Sequence, residues 1–252
     1  MSKYTVGSLF SGIGGLDLGF ERAGFTIAWQ VENDTFCNKV LAKNFPLAQR
    51  YGDIRTVRSH DLSPVDALIG GFPCQDVSDA GSRTGLEGER SGLWSEFARL
   101  VRELQPKYVC VENVAALLYR GFDTVLFDLS ACGYTCEWQV LPAAAFGFTH
   151  LRERVFLVAH HDSNEHFTNV FPTHFRPDQT SPANWEIIYA ALSREISRAR
   201  GRTYAEIRRS FYGLPDNVDR LKALGNAVVP AVAQYVAACI MTHLLAHQAT
   251  MP

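Results

Sequence analysis

Along most of the chain, apolar residues fall in short runs divided by polar, glycine-bearing turns. Run length alternates between strand-sized and helix-sized. Runs of β-prone residues predict strands at 4–10, 26–31, 65–69, 108–111, 135–141 and 155–159, with a shorter strand unit closing at Gly52-Asp53-Ile54. Helices are predicted at 16–23, 35–44, 93–104 and 121–132. Gly24 closes the first at its C-terminal cap, Asp34 N-caps the second, and Pro106 stops the amphipathic third. This rhythm predicts an α/β fold with a Rossmann-like sheet and helices on both faces. It breaks at His160: residues 160–213 are polar, rich in His, Pro and Arg, and show no βαβ pattern. Residues 221–230 lead into a last helix, 231–247, apolar around much of its surface. Such a helix should pack on the sheet.

Composition narrows the picture only a little. At 252 residues, with 47% hydrophobic and 20% charged positions, the chain has an ordinary globular balance and can bury a substantial core. The net charge of −2 gives no global sign of a nucleic-acid partner, so any such surface must be local. One local candidate is Arg194, Arg198, Arg200, Arg202, Arg208 and Arg209, opposed there only by Glu195 and Glu206; a solvated helix face is an even competitor. The six cysteines contain no Cys-x-x-Cys pair, and Cys132 with Cys136 lacks a second ligand pair, so no structural metal is expected. Met1-Ser2-Lys3-Tyr4 runs straight into a strand, and no apolar run is long enough to span a membrane. A reduced, intracellular (cytoplasmic) protein is expected.

The candidate chemistry lies where strands end. Ser11-Gly12-Ile13-Gly14-Gly15 joins a strand to a helix N-terminus, a place where free amides donate to polar or anionic ligand groups; a tight turn with no ligand competes with this. Glu32 ends the second strand about 20 residues later, where a carboxylate suits a ribose diol. The acid at this strand end can instead be Asp34 simply capping the next helix, and both can hold, with Glu32 as ligand and Asp34 as cap. Asp53 suits an adenine amino group with Ile54 over the ring, or an ordinary turn. Gly70-Gly71-Phe72-Pro73-Cys74-Gln75 sets a thiol at a strand's carboxyl edge. The glycine-rich stretch 78–92 beside it reads as a lid or as a connector. Glu112 ends the next strand, and Arg152 and Arg154, alternating with Glu153, are expected to share one face, as site residues or as a surface salt-bridge ladder. A last helix packed on the sheet would return Asn226 to the nucleotide-binding end.

Phe10-Ser11-Gly12-Ile13-Gly14-Gly15, Phe72-Pro73-Cys74-Gln75, Glu112-Asn113-Val114, Arg152-Glu153-Arg154 and Gly225-Asn226-Ala227-Val228 occur in this order. Together they resemble the DNA (cytosine-5) methyltransferase family of restriction-modification and phage systems, over residues 4–160 and 213–247. The resemblance implies S-adenosyl-L-methionine as cofactor, double-stranded DNA with a flipped-out cytosine as substrate, and a monomer. It implies that Phe10 stacks on adenine, Glu32 holds the ribose, Asp53 and Ile54 contact adenine, and Gly12, Gly14, Asn226 and Val228 surround the methionine portion. Cys74 would be the nucleophile, Glu112 the acid at cytosine N3 and Arg154 the arginine at the base carbonyl, with Arg152 completing the catalytic set. The implied domains are 1–160 for catalysis and cofactor, 161–212 for target recognition, and 213–252 returning to the catalytic domain.

The sequence departs from the family pattern in places. Phe148-Thr149-His150 stands where Pro-Gln usually precedes the arginine pair, and Asn33 replaces the aromatic residue that often follows the ribose acid. The recognition region is short for a module that reads base edges. The alternatives are a non-catalytic or impaired relative and an RNA cytosine-5 methyltransferase. A nicotinamide-dependent dehydrogenase does not fit, because the turn lacks G-x-G-x-x-G spacing.

Overall fold

The computed structural model describes residues 4–73, 93–161, 169–172 and 226–249, and all structural statements below concern these. Cys74, the stretch 78–92 and the arginine-rich tract 194–209 lie outside the described residues.

Seven strands form one sheet: β1 (Thr5–Leu9), β2 (Thr26–Val31), β3 (Gln49–Tyr51), β4 (Ala67–Gly70), β5 (Tyr108–Val114), β6 (Tyr134–Pro142) and β7 (Glu153–His161). Their order is β3-β2-β1-β4-β5-β7-β6. β1 to β5 run parallel, and β7 is inserted antiparallel between β5 and β6. The order reverses between β1 and β4. In open α/β sheets the crevice at that switch point, beyond the carboxyl ends of the strands, is where ligands bind.

Five helices cover the sheet: α1 (Gly15–Arg22), α2 (Thr35–Asn44), α3 (Trp94–Leu104), α4 (Phe122–Ala131) and α5 (Pro230–Ala249). Two apolar cores result. Leu16 and Phe20 of α1, Leu41 of α2, and Val232, Val236 and Ile240 of α5 pack on one face. Trp94, Phe97, Leu100 and Val101 of α3 pack with Val125 and Leu129 of α4 on the other. Helices therefore lie on both faces, as the alternating pattern predicts. The last helix does pack on the sheet side. Gly19 makes this possible, since a Cβ there would meet that of Ala233 at 2.4 Å.

Local signals held where they are local. Asp34 caps α2, its Oδ1 accepting from the amides of Phe36 (2.9 Å) and Cys37 (3.0 Å). Gly24, at φ 98°, follows α1 in the left-handed region that glycine tolerates. None of the described helices is long and apolar enough to cross a membrane.

Two strands differ from expectation for a tertiary reason. β3 is residues 49–51, pairing with β2 and ending before Gly52-Asp53-Ile54, which form the following turn. β5 runs on through Glu112 and Asn113 to Val114, because β7 gives it partners beyond the end of β4: Glu112 faces Phe156 and Val114 faces Arg154. Glu112 is therefore a strand residue, one position past the Gly70–Val111 pair where β4 stops.

Candidate active site

The crevice has two walls. The first comes from β1 and β2. Phe10 leaves β1 with φ 53°, a left-handed conformation that a bulky residue rarely adopts. Such strain persists only where the surroundings enforce it, commonly at ligand sites. Its half-buried ring rests against the β1–α3 core. Gly12 follows at φ 56°, and a Cβ placed there would meet nothing within 4 Å, so the turn presents bare backbone to open space. Glu32 reaches back across 20 residues, its Oε2 accepting from the Gly12 amide at 2.7 Å and its Oε1 from the Asp34 amide at 2.8 Å. The carboxylate at the end of β2 is thus held against the turn with lone pairs to spare for a diol.

Below the turn lies a polar network that the sequence reading missed. Asp17, in the first turn of α1, has no solvent exposure. It accepts from Ser8 Oγ at 3.1 Å and from Gln30 Nε2 at 2.7 Å, while Ser11 Oγ donates to Ser8. Burial pushes its carboxyl up from an ordinary 3.8 to about 6, with the bonds from Gln30 and Ser8 acting in the opposite direction. An acid in a helix's first turn ordinarily reads as a dipole partner. The available signal was that Asp17 sits between Leu16 and Leu18 and three residues before Phe20, on the apolar face.

The remaining cofactor candidates are placed unevenly. Asp53 is half-exposed, and its carboxylate takes the Arg55 amide at 3.0 Å and the Arg55 guanidinium, contacts that suit the turn reading and leave part of the carboxylate exposed. Ile54 is 3% exposed within the β1–α3 core. Asn226 is exposed, just before α5. Val228 does return to the glycine-rich turn: a Cβ on Gly15 would lie 2.4 Å from the Val228 carbonyl oxygen, so only glycine fits there. The residues present therefore fit an adenosine-type cofactor, with an acid, open glycine backbone and an aromatic ring converging at the end of β1.

The second wall comes from β4, β5 and β7. Gly71 abuts Glu112 so closely that a Cβ would lie 2.8 Å from Oε2. Glu112 is 8% exposed. Its Oε1 meets Arg154 Nε at 3.1 Å. Burial pushes the Glu112 carboxyl up to about 7, although Arg154 and then Arg152 pull the other way. Its neighbour Asn113, also buried, donates from Nδ2 to the Phe72 carbonyl at 3.2 Å, tying the approach to Cys74 to β5. This tie was not read from the sequence, because an Asn after a site acid carries no spacing signal.

The expectation that Arg152 and Arg154 share a strand face needs correction. β7 begins at Glu153, and Arg152 precedes it with φ 32°, outside the pleat that makes alternate residues share a face. Both guanidinium groups nevertheless act on Glu112. Arg152 Nη2 also donates to the Ala227 carbonyl at 2.7 Å. His150, in the departing Phe148-Thr149-His150 stretch, is exposed and stacks on Phe148 at 5.8 Å between ring centres.

Known proteins share both the sequence and the fold. Type II methyltransferase M.NgoFVII of Neisseria gonorrhoeae is 37% identical over 180 residues, 69% of this chain and 48% of that protein. M.BsuFI of Bacillus subtilis is 31% identical over 206 residues, 80% of this chain and 50% of that protein. The chain spans about half the length of these curated relatives. A solved E. coli structure described as a prophage-encoded DNA modification methyltransferase superposes with a TM-score of 0.54 at 31% identity, covering 63% of this chain and 47% of that one. The Entamoeba histolytica methyltransferase EhMeth shares the fold, with a TM-score of 0.58 at 18% identity over 72% of this chain and 58% of that one. A family model described as C-5 cytosine-specific DNA methylase matches residues 4–210, which takes in both walls of the crevice, and this chain belongs to that family.

Proposed function

We propose that the chain transfers a methyl group from S-adenosylmethionine to C5 of a flipped-out cytosine in DNA. The observation that carries this reading is Glu112, a buried carboxyl with its pKa raised to about 7. It is paired with Arg154 and stands beside the strand end that leads to Cys74. A carboxyl half-protonated near neutrality can give a proton to a ring nitrogen and hold the anion that remains.

When bound, the cofactor supplies an electrophilic methyl sulfonium. Phe10, Gly12, Gly14, Glu32, Asp53, Ile54, Asn226 and Val228 would hold it. Cys74 adds as thiolate to cytosine C6, forming a C–S bond and moving an electron pair toward C5. Glu112 protonates or hydrogen-bonds N3, and Arg154 neutralises charge developing at O2. C5, now nucleophilic, would take the methyl group as its bond to the sulfonium sulfur breaks, leaving a neutral thioether. A base, for which a water suffices, removes the C5 proton, and the C–S bond breaks to return the Cys74 thiolate. The target must leave the duplex stack to reach this crevice, at a cost of a few kcal/mol. Residues 161–212 would serve DNA recognition, and 213–252 would return the chain to the catalytic domain.

Covalent trapping tests the reading. The protein is incubated with S-adenosylmethionine and mixed-sequence DNA carrying 5-fluorocytosine, whose C5 fluorine cannot leave as a proton. A denaturant-resistant complex with wild type, and none with Cys74→Ser, is the expected result. A complex that survives in Cys74→Ser would remove Cys74 as nucleophile. Trapping on RNA instead of DNA would reassign the substrate, and failure on both would reduce the chain to a binding protein.

A further inference from the structure

Arg152 has a backbone and a partner that a base-contacting arginine does not need. Its φ of 32° lies where residues with side chains are uncommon. Its carbonyl and that of Leu151 face the Ala143 amide, at 3.4 and 2.7 Å, which pins this backbone to the end of β6. From there Arg152 Nη2 spans 75 residues of sequence to the Ala227 carbonyl. Next to Ala227, the Val228 carbonyl lies against Gly15, in the turn that the proposed function assigns to the cofactor. Two residues after Arg152, Arg154 pairs with Glu112. One short segment, 151–154, therefore grips both walls of the crevice.

We infer that Arg152 is a positioning residue that clamps the Asn226–Val228 segment onto the glycine-rich turn, coupling the base-binding wall to the cofactor wall. The inference rests on the proposed cofactor site and adds to it a role for this arginine that involves no contact with the base. A hydrogen bond from a charged guanidinium to a carbonyl is among the stronger ones, and the strained backbone at Arg152 persists because the bonds on either side hold it. The arrangement makes the position of Val228 depend on Arg152, and that of Glu112 on Arg154.

Cofactor affinity without DNA is the discriminating readout. S-adenosylmethionine is titrated calorimetrically into wild type, Arg152→Ala, Arg152→Lys, Arg154→Ala, Gly15→Ala and the Arg152→Ala/Gly15→Ala double variant. Arg152→Ala is expected to weaken binding about 10- to 100-fold, the size of a lost charged hydrogen bond. Arg152→Lys should recover part of the loss, since lysine keeps the charge but not the planar fork. Arg154→Ala should stay within about twofold of wild type. Gly15→Ala, which drives the segment off the turn, should match or exceed Arg152→Ala, and the double variant should be no worse than Gly15→Ala alone, as expected of coupled neighbours. With DNA present, Arg152→Ala should raise KM for the cofactor more than it lowers kcat.

Wild-type affinity in Arg152→Ala, or equal losses in the two arginine variants, overturns the inference. If wild type binds no S-adenosylmethionine, the proposed cofactor site fails, and hydrogen exchange then decides the clamp separately. The amides of Val232 and Ala233, which donate to the Val229 carbonyl at 3.0 and 3.2 Å, should exchange several-fold faster in Arg152→Ala. Unchanged exchange there rejects the clamp.

Discussion

The two walls of the crevice hold their ligand groups by different physics. At the ends of β1 and β2, the groups that face outward are the bare backbone of the turn at Gly12 and one half-buried carboxylate, Glu32, fixed by two amides. A second acid of that wall, Asp17, is kept below the turn among hydroxyls and an amide. At the ends of β4, β5 and β7 the order is reversed. There the outward groups are charged side chains, Glu112 and Arg154, set close together in a buried place. A wall built for binding needs fixed donors and acceptors that cost nothing to reorganise. A wall built for proton transfer needs a carboxyl poised between its two states, which burial supplies and the arginines moderate.

The largest effect is expected on the reactive wall. Glu112→Gln should lower kcat by about 10²- to 10⁴-fold, the range for loss of a general acid, while cofactor affinity stays near wild type. It should also remove the decline of kcat/KM expected of wild type as pH rises through about 7, where Glu112 gives up its proton. A variant that weakened cofactor binding as strongly as it lowered kcat would erase the distinction between the walls.

The binding wall should answer in affinity first. Glu32→Ala should weaken S-adenosylmethionine binding about 10- to 100-fold, because it removes both the ribose acceptor and the tether on the Gly12 amide. Calorimetry without DNA reads this directly, and unchanged affinity would falsify the ribose assignment.

The smallest effect at neutral pH concerns stability. Asp17 and Glu112 both have raised pKa values when folded, so these two groups hold more protons in the folded chain than in the unfolded one between about pH 4 and pH 7. Their contribution to stability must therefore fall as pH rises through that window and level off above it, while the lowered acids Asp53, Asp66, Glu103 and Glu137 act the other way at its acid end. For Asp17, a rise from 3.8 to about 6 corresponds to roughly 3 kcal/mol. Asp17→Asn should flatten the lower part of this slope, near pH 4–6. It should cost little at neutral pH, since Gln30 Oε1 has no hydrogen-bond partner among the described residues and can accept from the new amide. Denaturant midpoints at several pH values measure both effects; an unaltered slope in Asp17→Asn would mean that Asp17 is not the titrating group.

Much of the binding wall was legible from sequence because its parts are neighbours in sequence. The glycine-rich turn, the cap at Asp34 and the carboxylate of Glu32 lie within 34 residues of the N-terminus, and their roles follow from backbone rules. Asp17 was missed because a first-turn acid ordinarily reads as a dipole partner, although its place on the apolar face of α1 was a signal. On the reactive wall the residue types stood out, but their geometry did not. Nothing local to Glu112 says that an antiparallel strand will extend β5 past it, and nothing local to Arg152 says that its pleat has not yet begun.

The order of strands and helices, the cap residues, the glycines at the turn and the identity of the side chains proposed to react were determined by the sequence itself, since each depends on periodicity or on a few adjacent residues. Tertiary structure alone decided the insertion of β7 between β5 and β6, the burial that raises Glu112 and Asp17, and the clamp from Arg152 to Ala227. These depend on contacts between residues far apart in the chain, and such contacts form only when the whole sheet closes and excludes water from the groups between its layers.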